Sequence, residues 1–274
     1  MCLTGRKCKT FSFSPKQKNV FLPLSPKFFT VHIVIDGGNT RIKVAQFQDE
    51  KLQNVEIFAN QEALNIFLKK CLLAQAIIVS NVGSWTFEAL NAFQGRLIYL
   101  NKETKVPFQS FYASPQTLGN DRRALAAAAL YEFPQQNCLV FDAGTCLTVD
   151  FIDTKGAYHG GAISPGLSMR FEALHSFTQN LPKINWRENA LPALIGDSTA
   201  NSIRSGVVRG YLAEIEGIIE QYKEEFDDLR IVFCGGDTSL LRPWLKNDIF
   251  APSNFLIKGL EYILRYNLEG FKKS

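Results

Sequence analysis

The stretch Val34-Ile35-Asp36-Gly37-Gly38-Asn39-Thr40-Arg41-Ile42-Lys43-Val44-Ala45-Gln46-Phe47 reads as an apolar strand, a glycine turn and a second strand. The same plan returns at Val140-Phe141-Asp142-Ala143-Gly144-Thr145-Cys146-Leu147-Thr148-Val149-Asp150-Phe151-Ile152. Both units end an apolar strand on Asp, continue with a small residue and Gly, and then offer a polar Asn or Thr. Each predicts a β-hairpin with a tight polar tip. One such unit arises easily by chance. Two, separated by about the length of a small domain, indicate a chain built from two related halves.

Working outward, apolar runs at 76–80, 97–100 and 231–234 predict further buried strands. Helical spacing runs through 61–73, 121–132 and 198–226, the last with an apolar stripe at Ile203, Val207, Tyr211, Ile215, Ile218 and Tyr222. Residues 256–268 predict a C-terminal helix. The stretch His159-Gly160-Gly161-Ala162-Ile163-Ser164-Pro165-Gly166-Leu167 reads as a loop, because Gly and Pro punctuate it. Strands mixed with helices imply an α/β or α+β fold in which helical layers cover sheets.

At 274 residues and 46% hydrophobic, the chain can bury a large core. No stretch approaches the roughly 18 apolar residues that span a bilayer, so a membrane is not an expected partner. The net charge of +4 is local: residues 1–30 hold six cations (Arg6, Lys7, Lys9, Lys16, Lys18, Lys27) and no acid, leaving 24 cations against 26 anions elsewhere. The body therefore lacks the basic excess that nucleic-acid binding requires.

Residues 1–30 are expected to form a basic, disordered extension. They carry no apolar core of a secretory signal, and Pro15, Pro23 and Pro26 interrupt any amphipathic helix. The natural start is expected near Val31. The six cysteines (Cys2, Cys8, Cys71, Cys138, Cys146, Cys234) form no C-x-x-C pair and no metal-ligand spacing. A reducing cytoplasm is their simplest setting.

The turn at 36–40 has the composition of a phosphate cradle. Its glycines admit backbone N–H groups to an anion without a Cβ in the way. Asn39 and Thr40 add side-chain donors, Lys43 adds a point charge, and Asp36 can attract Mg²⁺. Neither the P-loop pattern nor G-x-G-x-x-G is present, so those cradles are excluded. The second turn, Asp142-Ala143-Gly144-Thr145, can face the first across a cleft and hold a cation or the far end of a triphosphate. For either turn alone an ordinary hairpin is an equal reading; the pairing favours a nucleotide cleft.

Leu118-Gly119-Asn120-Asp121-Arg122-Arg123 precedes an alanine-rich helix. Asp121 is either a carboxylate favoured by the helix dipole or the base that receives a hydroxyl proton in phosphoryl transfer. Arg122 can clamp a substrate carboxylate bidentately. Asp197 or Ser198 would cap the long helix, with Thr199 in its first turn or facing ligand. Cys234-Gly235-Gly236-Asp237 can let an adenine ring lie against backbone. His32, His159 and His175 show no partner pattern and read as non-catalytic.

Taken in order, these segments resemble type III pantothenate kinase across nearly all of 31–270. Residues 36–43 match that family's D-x-G-N-T-x-x-K motif, and 119–122 match G-x-D-R, with Tyr112 seven residues ahead of Gly119. Residues 142–148 match D-A-G-T-x-x-T; 160–182 and 196–206 resemble its G-G-x-I-x-P-G and G-x-x-T stretches. Cys146 stands where alanine is common and Cys234 where threonine is common.

The resemblance implies two tandem actin-like, ribonuclease-H-like domains with an ATP cleft between them. These would span 31–137 and 138–274, the C-terminal helix being able to pack back on the first. It implies transfer of the ATP γ-phosphate to pantothenate, the first step of coenzyme A synthesis, by a cytoplasmic homodimer. By match, Asp36, Gly37, Gly38, Asn39, Thr40, Arg41, Ile42, Lys43 and Thr145 bind ATP. Asp121 is the base, and Tyr112, Gly119, Asn120, Asp121, Arg122 and Thr199 contact pantothenate. Asp142 would hold a monovalent cation, K⁺ or NH₄⁺, with Mg²⁺ accompanying ATP. Two other readings share the fold: a sugar or acetate kinase, and a regulatory relative of the Bvg accessory factor kind.

Overall fold

A computed structural model describes residues 30–186 and 190–272. The basic extension expected over 1–30 lies outside them but for Thr30. The first hairpin forms where the sequence places it. Strand β1 (Val31–Gly37) turns into β2 (Ile42–Gln48), and β3 (Lys51–Phe58) continues the antiparallel meander. Helix α1 (Gln61–Cys71) starts where Asn60 accepts the Ala63 amide and ends with Lys69 and Lys70 in its last turn. It crosses over to β4 (Ala76–Asn81), parallel to β1, and β5 (Arg96–Tyr99) adds beyond β4. The sheet order is β3-β2-β1-β4-β5.

The second half repeats this plan. After the short strand β6 (Gln109–Ser110) and helix α2 (Asn120–Glu132) come β7 (Cys138–Ala143), β8 (Cys146–Ile152) and β9 (Ala157–Pro165), again an antiparallel meander. Helices α3 (Leu167–Ser176), α4 (Thr199–Arg204) and α5 (Gly210–Glu225) follow. The chain then returns in β10 (Arg230–Cys234), parallel to β7 as β4 is to β1. A single parallel bridge from Val232 to Phe250 stands where β5 stands in the first sheet. Helices α6 (Thr238–Leu241) and α7 (Phe255–Lys272) complete the chain.

Two expectations need correction. The segment 159–165 is strand, not loop, because pairing with β8 outweighs the local preference of Gly and Pro. Gly160 takes φ +94 beside an irregularity in the β8 register, and a Cβ on Gly161 would collide with the Val149 carbonyl. The single helix expected over 198–226 is α4 and α5 joined by a π turn at Ser205–Arg209. Ser198 is its cap, accepting from the Asn201 amide.

Apolar side chains divide by face. The outer face of the first sheet packs on α1 through Ile33, Ile35, Leu64 and Leu68. That of the second packs on α3 to α5 through Phe141, Val149, Phe171 and Ile215. Between the sheets lie α2 and α7. Ala124 and Ala127 join α7 and the inner face of the first sheet, while Ala126, Ala128 and Ala129 join Val140 and Val232 of the second. Helix α7 thus covers the first sheet although it follows the second in sequence. Among the described residues no helix is long and apolar enough to cross a membrane.

At Gly259 α7 runs so close to α2 that a Cβ would collide with the Ala124 carbonyl. Gly217 of α5 has open space around its missing Cβ. Gly259→Ala is therefore expected to destabilise by about 1–3 kcal/mol through overpacking. Gly217→Ala should stabilise by about 0.5–1 kcal/mol through helix propensity. Urea denaturation of the two variants checks the opposite signs.

Candidate active site

Hairpin register fixes which side chains meet. Asp36 lies opposite Lys43 on β2, and Asp142 opposite Thr148 on β8. In the first tip, the Gly38 amide donates to Arg41 O (3.0 Å), Val82 N donates to Gly37 O (2.9 Å) and the Trp85 indole N–H donates to Gly38 O (2.7 Å). In the second, Gly144 N donates to Cys146 O (3.0 Å), Gly166 N to Thr145 O (3.1 Å) and Asp237 N to Ala143 O (3.0 Å). The turn carbonyls are tied back into the protein. Among the described residues the amides of Asn39, Thr40 and Thr145 have no acceptor, and all three residues are exposed. Free N–H groups with carbonyls turned away suit an anion.

Both hairpins open on one cleft of about 540 Å³, to which Asp36, Lys43 and Asp142 contribute, with Gly235, Gly236 and Arg242 on one wall and Asn254 to Ile257 on another. Asp121, in the first turn of α2, is near enough to act electrostatically on both carboxylates. Burial raises the Asp36 pKa, Lys43 lowers it, and Asp121 raises it again. Asp142 is pushed up to about 6, by burial first and then by Asp121, Asp150 and Asp36, against Lys43. The three aspartates singled out from sequence therefore share one electrostatic site. Among the described residues no three His, Cys, Asp or Glu side chains form a metal cage. The carboxylates fit a cation that is shared with phosphate oxygens and water.

Helix α2 has its start pinned. Asn120 Nδ2 donates to Leu100 O at the end of β5 (2.9 Å), and Asp121 Oδ1 accepts from the Arg122 amide (2.8 Å). Gly119 leaves room for the Asp121 carboxylate, which any Cβ there would strike. Arg122 is buried; its Nε donates to Asp150 Oδ1 (2.9 Å), and its Nη2 forms an ion pair with the same oxygen at 2.8 Å. The Nε side of the guanidinium that was expected to clamp a carboxylate is thus taken by Asp150. The Tyr112 ring lies 5.6 Å from the guanidinium carbon and packs on Tyr158, whose hydroxyl donates to Asp150 Oδ1 (2.7 Å).

Other expected residues fall elsewhere. Arg41 is exposed at the tip, whereas the Ile42 side chain is buried in the core under α1, leaving only its backbone to serve a ligand. Thr199 lines a separate apolar hollow of about 980 Å³ between α3 and α4, with Met169, Leu174 and Phe177. The histidines do have partners: His32 with Glu261 (3.0 Å), His159 with Asp153 (2.8 Å) and His175 with Leu181 O (2.9 Å). None lines the cleft. Asp150 and Tyr158 were not picked out from sequence, although a carboxylate inside the apolar run of β8 was a legible signal.

The sequence model of type III pantothenate kinase matches residues 32–221. Type III pantothenate kinases of Christiangramia forsetii and Flavobacterium johnsoniae are 45% and 41% identical. The alignments cover 86% of this chain in both cases, and 99% and 98% of the relatives. Among solved structures, a Baf family protein of Campylobacter jejuni aligns with TM-score 0.56 at 23% identity, over 86% of this chain and 99% of that one. The ROK hexokinase of Thermus thermophilus aligns with TM-score 0.52 at 12% identity, over 88% and 99%. These two show the fold alone, that of two tandem actin-like domains. On the extent of the sequence match, the chain belongs to the type III pantothenate kinase family.

Proposed function

We propose that the chain transfers the γ-phosphoryl group of ATP to the primary hydroxyl of pantothenate, giving 4′-phosphopantothenate in the first step of coenzyme A biosynthesis. The observation that carries this reading is the meeting of Asp36, Lys43 and Asp142 from two equivalent hairpins on one cleft, with Asp121 in electrostatic reach of both carboxylates. In this reading the halves 31–137 and 138–274 are the two lobes of the kinase. The amides of Asn39, Thr40 and Thr145 and the Lys43 ammonium cradle the polyphosphate, and the adenine lies toward Gly235 and Gly236.

Asp121 accepts a hydrogen bond from the substrate hydroxyl. It takes that proton as the new O–P bond forms and the bond to the departing ADP oxygen breaks. Asp36, together with the phosphates, would hold Mg²⁺, which would supply charge neutralisation on the transferring group. Asp142, crowded by other carboxylates, favours an added positive charge and is the place for a monovalent cation, K⁺ or NH₄⁺. Tyr112, Gly119, Asn120 and Arg122 form the acceptor side.

Thr199 joins the substrate residues only if a second copy of the chain brings it there. Exposed Phe177, beside the hollow that Thr199 lines, supports a homodimer seated on that face. The described cysteines Cys71, Cys138, Cys146 and Cys234 are free thiols, which suits a cytoplasmic enzyme.

Asp121→Asn should lower kcat for pantothenate phosphorylation by about 10²–10⁴-fold with little change in either KM. Full activity of this variant refutes the base assignment. Turnover of sugars or acetate in place of pantothenate, or none at all, would favour the other kinases or the regulatory relative. Because the Asp142 pKa is raised to about 6, its charge is present above that pH and lost below it. KM for ATP is expected to climb as pH falls through about 6, and Asp142→Asn should flatten that dependence. Phe177→Glu should shift the protein from dimer to monomer in analytical ultracentrifugation.

A further inference from the structure

Asp150 sits in the middle of β8, opposite Val140 on β7 and Gly161 on β9, and is fully buried. Its Oδ1 accepts from Arg122 Nε (2.9 Å) and the Tyr158 hydroxyl (2.7 Å), and Arg122 Nη2 pairs with it at 2.8 Å. Its Oδ2 is equally buried and has no protein partner. Burial pushes the carboxyl pKa up, the charge and hydrogen bonds of Arg122 and the hydrogen bond of Tyr158 push it down, and Asp121 pushes it up again. A charge pair in such a place gains little stability over apolar residues of the same size. Its orientation points to what it does instead.

We propose that Asp150, supported by Tyr158, is a positioning residue that aims Arg122 at the acceptor substrate. This inference rests on Arg122 serving the acceptor side, as given above. Asp150 occupies the Nε edge of the guanidinium, and Val149 O takes a longer hydrogen bond from Nη2 (3.4 Å). Nη1 has no hydrogen-bond acceptor among the described residues. It is therefore the donor left for an anionic group, and the Tyr112 ring lies beside the same guanidinium. An arginine that is free must surrender rotamer freedom when it grips an anion; this one is held in advance. The held group is adjacent in sequence to Asp121, so the anchor for the substrate carboxylate and the base for its hydroxyl start from the same rigid helix turn.

The test uses the full chain as wild type, Asp150→Asn, Tyr158→Phe, Arg122→Gln and the Asp150→Asn/Arg122→Gln double variant. Asp150→Asn is expected to raise KM for pantothenate by roughly tenfold or more, the size of a lost charge-assisted hydrogen bond. KM for ATP should stay within about twofold. Tyr158→Phe should move the pantothenate KM the same way by less. In the Arg122→Gln background, Asp150→Asn should add nothing.

An equal rise in both KM values, or a full additional effect in the Arg122→Gln background, would overturn the proposal. If Asp150→Asn does not fold, Tyr158→Phe decides: an unchanged pantothenate KM overturns it. If the wild type does not phosphorylate pantothenate, the kinase reading fails separately. The coupling is then read from melting temperatures of wild type, Tyr158→Phe, Arg122→Gln and the Tyr158→Phe/Arg122→Gln variant, where strict additivity counts against it.

Discussion

Four carboxylates, those of Asp36, Asp121, Asp142 and Asp150, form one linked electrostatic group, with Lys43 and Arg122 as the opposing charges. Each raises the pKa of at least one neighbour, and Asp36, Asp142 and Asp150 lose hydration as well. Such repulsion persists in a fold only where packing elsewhere holds it. Here the holding comes from the hairpins. Strand register leaves Asp36 no position but opposite Lys43, and Asp142 none but opposite Thr148. The surplus negative charge is the complement of a cation-bearing polyphosphate, so the same crowding that opposes folding favours the ligand.

Both tips are built by the same device with different parts. At the first, Val82 and Trp85 cap the turn carbonyls; at the second, Gly166 and Asp237 do so. In each case segments from outside the hairpin supply the donors: the stretch after β4 for the first tip, and the ends of β9 and β10 for the second. The amides of Asn39, Thr40 and Thr145 are then left without an acceptor among the described residues, at exposed tips. Equivalent geometry has thus been reached without equivalent sequence in the braces.

That asymmetry explains what could be read from residues alone. The hairpins were legible because alternating apolar strands and a D-x-G turn carry their own local signal. Residues 121–132 were legible because an alanine run admits little but helix. Strand β9 was not, since Gly160, Gly161 and Pro165 argue locally for a loop and only the neighbouring β8 makes them a strand. The partnership of Arg122 with Asp150 was hidden for the same reason: the two meet through tertiary packing across 28 residues of chain. Thr199 was placed by motif near substrate, yet its position on α4 belongs to a different face of the fold.

Helix α2 turns methyl groups toward both sheets, Ala124 and Ala127 to one side and Ala126, Ala128 and Ala129 to the other. Three larger side chains key the helix to its surroundings: Leu125 packs with Val140 and Val232, Arg122 pairs with Asp150 of β8, and Asn120 donates to Leu100 O just past β5. One short helix is thereby registered to both halves at once, so Asp121 in its first turn inherits a set position relative to each hairpin.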